Sequence, residues 1–176
     1  EVMECSEDFK GIGKNAKLNG DVEFRDVTFA YPNGSGIPAL KDLSFSIKSG
    51  ENLAIIGPTG SGKSTIAWLL LRFYDAGSGK ILVNGCDIKD LNVDSLRNDV
   101  AIVPQKPMLF SGPVSENIRW GNSNASDEMV HKAASEAQAD FIEKMHDGYE
   151  SILGSAAVNV SGGQKQRISI ARGLLK

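Results

Sequence analysis

The stretch Gly57-Pro-Thr-Gly-Ser-Gly-Lys-Ser-Thr65 constrains this chain more than any other. It fits the pattern G-x-x-x-x-G-K-[ST], with Gly57, Gly62, Lys63 and Ser64 at the fixed positions. Glycines let a short loop turn so that successive backbone N–H groups point inward at anionic oxygens. A lysine there supplies a mobile point charge for β- and γ-phosphates, and the next hydroxyl a ligand for Mg²⁺. Asn52-Leu-Ala-Ile-Ile56 is a short apolar run suited to a buried parallel strand. Ile66, Leu69, Leu70 and Phe73 then recur at helical spacing, so the loop opens a helix whose positive dipole end faces the phosphates. A glycine-rich turn that only joins strand to helix is the plainer alternative. The lysine, the hydroxyl and both flanks in their set places favour a nucleotide-binding loop.

Composition bounds the rest. With 176 residues, 41% of them hydrophobic, the chain suits one globular domain of moderate size. A formal net charge of −3 gives no basic footprint, which disfavours nucleic acid as a partner. Cys5 and Cys86 lie far apart without metal-ligand spacing; they read as free thiols of a reducing compartment rather than as a disulfide. His131 and His146 fall in a polar helical region and read as surface residues. No apolar run approaches the length of a membrane span and the start has no signal-peptide pattern, so the stretch reads as cytosolic.

In chain order, Glu1 to Gly20 is polar without a sustained period and reads as a linker from an upstream domain. Val22, Phe24, Val27 and Phe29 form two alternating pairs, with a bulge expected at Arg25-Asp26. Tyr31 to Gly36 is a turn, and Leu43, Phe45 and Ile47 alternate as a half-exposed strand. These early strands are expected to be antiparallel. After the loop helix come a strand at Lys80 to Val83, a tight turn at Asn84-Gly85, a short helix from Asp94 to Asp99 capped by Asp94, and a second buried strand from Val100 to Val103 ended by Pro104. Lys106 to about Val160 reads as a helical insertion. It holds one helical turn over Val114 to Ile118, a helix from Asp127 to Ala139 capped by Ser126, and a short helix from Asp140 to Met145.

Near the end stands Val160-Ser-Gly-Gly-Gln-Lys-Gln-Arg167. Ser161 and Gln164 have the spacing of a capping box, which starts a helix with no functional demand. Two glycines also leave that helix N-terminus bare, a setting in which free N–H groups and a hydroxyl bind an anion. From capping alone the structural reading leads. The phosphate loop changes the balance, because Ser161-Gly-Gly-Gln164 before a basic helix resembles the signature motif of the ABC (ATP-binding cassette) ATPases. Gln105, in Ile102-Val-Pro-Gln105, resembles that family's Q-loop, Tyr31 its adenine-stacking aromatic, and Leu109 to Ile118 the segment after the Q-loop in exporter-type cassettes. Four motifs stand in the family's order from about Asp21 to Lys176.

The resemblance implies an α/β fold: a P-loop NTPase core of parallel sheet with flanking helices, plus an antiparallel β subdomain, both within 21–105, a helical subdomain at 106–160 and a signature helix at 161–176. It implies an ATPase with ATP and Mg²⁺ as cofactors. Tyr31 would stack on adenine, and Gly57, Thr59, Gly60, Ser61, Gly62, Lys63, Ser64 and Thr65 would hold the phosphates. Ser64 and Gln105 would share the Mg²⁺, with Lys63 and Gln105 as catalytic groups. Ser161, Gly162, Gly163 and Gln164 would serve a nucleotide bound to a second cassette, head to tail, in a homo- or heterodimer. The expected partners are that cassette and a transmembrane domain, at the cytoplasmic face of a membrane. The family's apolar strand with a Mg²⁺-binding aspartate, its water-polarising glutamate and its switch histidine would follow the signature. None stands in these 176 residues, so this stretch alone is expected to bind MgATP without hydrolysing it. Gly154 to Asn159 lacks the acidic residue that exporters carry before the signature, Val160 replaces the common leucine, and Gly173 sits within a helix at a cost of about 0.5–1 kcal/mol.

Other classes fit less well. Soluble ABC ATPases of repair carry long coiled coils, and those of translation tend to be basic and tandem. A GTPase would need an N-K-x-D motif, and a phosphate-loop kinase would not carry the signature. A non-catalytic, regulatory half of a heterodimer stays open on these residues.

Overall fold

Alternating apolar residues build the first sheet of the computed structural model, which describes residues 20–34, 36–154 and 157–176. Two units divide after Val100. In the first, β1 (Val22–Phe29), β2 (Leu40–Ile47), β3 (Ser78–Val83) and β4 (Cys86–Asp87) form an antiparallel sheet in the order β2-β1-β3-β4. Phe24, Val27 and Phe29 are buried, and the Phe24 ring stacks on Phe45 with centroids 4.6 Å apart. Residues three apart on a strand share a face only if one extra residue intervenes. The bulge supplies it: Asp26 takes φ 48° and the register with β2 shifts between Phe24 and Val27. The β3–β4 turn is the expected one, with Val83 opposite Cys86 and positive φ at Asn84 and Gly85.

Helix α1 (Lys63–Leu70) starts at the glycine loop and packs Leu69 into the sheet's apolar core. Phe73 was expected on its stripe but lies beyond its end, exposed, with the Arg97 guanidinium 4.8 Å from its ring centroid. The reason is Arg72, at φ 54°, which turns the chain out of the helix while its buried side chain donates to the Ile88 and Leu91 carbonyls at 3.2 Å each. Helix α2 (Val93–Asp99) is capped two residues earlier than expected. Asn92 Oδ1, not Asp94, accepts the Ser95 N–H at 3.0 Å, and Asp94 falls in the first turn, where its charge suits the dipole.

The two apolar runs expected as buried strands, the first of them parallel, are corrected here. Neither Asn52–Ile56 nor Val100–Val103 belongs to a strand, and no parallel ladder forms among the described residues. Leu53, Ile55 and Ile56 are 48%, 44% and 93% exposed. The first two border, with Phe45, Ile66 and Leu70, an apolar hollow of about 370 Å³. An apolar run expresses a preference for burial, but a ladder also needs a partner edge, and no described strand pairs with either run.

In the second unit, β5 (Gly112–Pro113) pairs with β6 (Ile152–Leu153), and α3 (Val114–Arg119), α4 (Asp127–Glu136) and α5 (Gly162–Leu175) enclose a core of Val114, Ile118, Val130, Ile142, Leu153 and Ile168. Ser126 caps α4 as expected, accepting the Met129 N–H at 3.3 Å. The helix stops at Glu136 rather than Ala139, because Gln138 takes φ 58°. The short helix expected from Asp140 to Met145 is a 3₁₀ helix over Asp140–Lys144, with Met145 as its C-cap. Gly173 has a packing reason: a Cβ there would lie 3.1 Å from Val103 Cγ2, so the bare backbone admits the 101–103 segment.

His131 and His146 are both exposed, the former stacked on Tyr149 at 4.0 Å. Cys86 is an exposed free thiol, whereas Cys5 and nearly all of the expected linker, residues 1–19, lie outside the described residues. Among the described residues no helix is long and apolar enough to cross a membrane.

Candidate functional site

The Gly57–Thr65 segment is a bent loop running into a helix start. Gly62 is the N-cap of α1 at φ 85°, ψ 5°, with no side-chain cap and no acidic residue in the first turn. A Cβ on Gly62 would stand 2.5 Å from the Ala39 carbonyl oxygen and 2.7 Å from Leu40 Cδ2. Both the left-handed backbone and the approach of β2 therefore require glycine. Lys63 folds back over the loop: its ammonium donates to the Gly57 and Pro58 carbonyls at 2.8 and 2.6 Å and to Ser61 Oγ at 3.3 Å. Main-chain acceptors thus hold the positive charge where anionic oxygens would compete for it. Helix-start amides that no side chain caps, beside an ammonium, suit phosphate. Ser64 is exposed at the same turn, and its hydroxyl is the hard oxygen donor that Mg²⁺ takes.

Thr65 is buried, and its Oγ1 meets the Tyr31 hydroxyl at 2.8 Å. That bond brings the residue expected to stack on a base directly onto the loop's helix. The half-buried Tyr31 ring has three aromatic neighbours, none parallel to it. Phe29, Trp68 and Tyr74 meet it at interplanar angles of 81°, 74° and 88°, with centroids 5.0, 6.2 and 5.4 Å away.

The second unit holds Gln105 and the Ser161 segment. Both halves of the capping box are present: Ser161 Oγ accepts the Gln164 N–H at 3.3 Å, and Gln164 Oε1 accepts the Ser161 N–H at 2.8 Å. The structural reading of this motif holds, yet it leaves Gly162 and Gly163 unexplained. Both are exposed, neither has positive φ, and a Cβ on either would meet nothing within 4 Å. Internal geometry therefore does not demand glycine at either position. Gln105 is exposed at a bend, and Gln166 of α5 donates to the preceding Pro104 carbonyl across a long 3.5 Å.

Two supporting residues had no role assigned from the sequence, although Asn117 falls in the Leu109–Ile118 segment. Asn117, 2% exposed, clamps the loop before α3: its Oδ1 accepts the Phe110 N–H at 2.9 Å, and its Nδ2 donates to the Phe110 and Pro113 carbonyls at 2.9 and 3.1 Å. Arg172 of α5 donates to the Asn117 and Met108 carbonyls at 2.8 and 3.0 Å, and partial burial lowers its pKa from the usual guanidinium value. These bonds tie the signature helix to the segment following Gln105.

An uncapped helix start behind a glycine loop, with a lysine folded over it, defines the class as a phosphate-loop nucleotide-binding domain. The sequence profile described as ABC transporter matches residues 40–176, and the chain belongs to that family. It is 48% identical over 162 residues to ABC transporter B family member 13 of Arabidopsis thaliana, covering 92% of this chain and 13% of the relative. It is 46% identical over 175 residues to the ATP-dependent lipid A-core flippase of Escherichia coli strain K12, covering 97% of this chain and 30% of that protein. Among solved structures, a bacterial Atm1-family ABC exporter with ATP bound superposes with a TM-score of 0.86 at 41% identity, over 94% of this chain and 29% of that one. The chain therefore spans less than a third of these relatives.

Proposed function

We propose that this chain is the ATP-binding part of an exporter-type ABC transporter, coupling ATP binding and hydrolysis to movement of a substrate across a membrane. The observation that carries this reading is the Gly57–Thr65 loop, with its uncapped helix start and its lysine held only by oxygen acceptors. The similar Atm1-family exporter with ATP bound supports the choice of nucleotide. Gly57, Thr59, Gly60, Ser61, Gly62 and Thr65 shape the cradle, Lys63 holds the β- and γ-phosphates, and Tyr31 stacks on adenine. Ser64 supplies an oxygen ligand to Mg²⁺, which when bound neutralises charge developing on the phosphates. Ser161, Gly162, Gly163 and Gln164 face the phosphates of a nucleotide on a second cassette, which accounts for two glycines that the fold itself does not need. A transmembrane domain completes the machine at the cytoplasmic face.

Head-to-tail pairing has a direct test. In the intact protein, Ser161→Cys is expected to cross-link to a cysteine at the Thr59 position of a second cassette, faster with ATP than without. Links forming only between these two positions of one cassette would contradict the arrangement.

A further inference from the structure

We infer that Trp68 and Tyr74, together with the Thr65 hydroxyl, are positioning residues that hold Tyr31 for base recognition, so that the base end and the phosphate end of the site form one mechanical piece. The inference rests on Tyr31 stacking on the base.

Three observations lead to it. Tyr31 follows β1 on a turn, where a lone side chain would sample several rotamers; ordering such a ring at the moment of binding costs affinity. Here contacts within the chain set its orientation. The hydroxyl is pinned to Thr65 at 2.8 Å, on the first turn of the phosphate-loop helix. Tyr74 and Trp68 meet the ring nearly edge-on, at 88° and 74°. They also touch each other, with centroids 6.5 Å apart and planes at 43°, so they act as one bracket rather than two separate contacts. Trp68 lies on α1 itself and Tyr74 shortly beyond its end, and α1 opens at Lys63. A shift of that helix therefore carries phosphate contacts and base platform together.

The geometry also separates bracket from platform. None of the three neighbouring rings lies parallel to Tyr31, so no described ring takes the offset-stacked place that a purine would take. Trp68 and Tyr74 are held by other contacts and do not stack on the base in this reading. They act through Tyr31, and their removal reduces what the base adds to affinity while leaving the phosphate contribution alone.

The test compares ATP with inorganic tripolyphosphate, which has the phosphate tail and no base, by equilibrium competition against a fluorescent nucleotide in the intact protein without Mg²⁺. Tyr31→Leu is expected to remove most of the advantage of ATP over tripolyphosphate. Trp68→Leu and Tyr74→Leu are each expected to cut that advantage about fivefold, the effect of one lost aromatic contact, with tripolyphosphate affinity unchanged. Tyr31→Phe keeps the ring but loses the Thr65 anchor and falls between wild type and Tyr31→Leu. Trp68→Phe, which keeps a ring, restores most of the advantage and covers the case in which Trp68→Leu fails to fold. If Tyr31→Leu abolishes the advantage while Trp68→Leu and Tyr74→Leu leave it intact, the bracket is wrong and the stacking role of Tyr31 stands. Equal weakening of ATP and tripolyphosphate by Trp68→Leu would reduce its role to general packing and overturn the inference. An advantage untouched by Tyr31→Leu would overturn the stacking reading and the bracket together.

Discussion

Gly62→Ala is expected to lower the ATP affinity of the intact protein about a hundredfold while leaving its melting temperature without nucleotide nearly unchanged. The residue sits at φ 85°, and the added methyl would lie 2.5 Å from the Ala39 carbonyl oxygen. A left-handed backbone costs a non-glycine residue about 1–2 kcal/mol, and forced overpacking about 1–3 kcal/mol more. The obstacle is main chain at the start of β2, so it cannot step aside as a flexible side-chain end would. The exposed loop relieves the strain by opening. Binding must then restore the strained cradle, which returns a cost of about 3 kcal/mol, or two orders of magnitude in affinity. Titration with a fluorescent nucleotide reads the affinity and a thermal melt reads the fold. An alanine variant that binds ATP like the wild type would show that the cradle geometry is not what binds.

The second large effect falls on stability. Asn117→Leu keeps side-chain volume but strips partners from the Phe110 N–H, the Phe110 carbonyl and the Pro113 carbonyl. Each polar group left unsatisfied in a buried place costs about 1–3 kcal/mol. Discounting for the partial exposure of Phe110, a loss of about 3–4 kcal/mol is expected, a fall of about 12–30 °C in melting temperature for the unit spanning residues 101–176. Asn117→Asp should lie between, because it keeps an acceptor for the Phe110 N–H while losing both donations. Since Arg172 of α5 holds the Asn117 carbonyl at 2.8 Å, slackening this clamp also loosens the helix that presents Ser161. A melting temperature unchanged by Asn117→Leu would refute the clamp.

Much of this was readable because it is local. The bulge at Asp26 follows from apolar residues spaced by two, three and two, and the Asn84-Gly85 turn from residues that tolerate positive φ. The caps at Ser126 and Ser161 depend on a side chain three residues from the amide it serves. The phosphate loop was legible because its pattern states backbone geometry and charge at once. What stayed hidden depends on partners distant in sequence. Leu53 and Ile102 lie in runs as apolar as any buried strand, yet pairing is decided by a neighbouring edge that periodicity cannot supply. Arg172 meets the Asn117 carbonyl across 55 residues of chain, a contact that no local pattern announces. Leu69 read as part of an apolar stripe, whereas only the return of Tyr31 from β1 gives Trp68 its place beside the site. Gly173 read as a small cost until Val103 was found against it.

The central claim is that the Gly57–Thr65 loop and the Lys63 ammonium grip the phosphate tail of ATP. Lys63→Met, which keeps the length of the side chain and removes its charge, tests this most directly through equilibrium ATP binding to the intact protein across a salt series. Loss of a charge-assisted contact worth about 1.5–3 kcal/mol predicts affinity lower by about ten- to a hundredfold and a weaker dependence on salt. Wild-type affinity with an unchanged salt dependence in Lys63→Met would contradict the account.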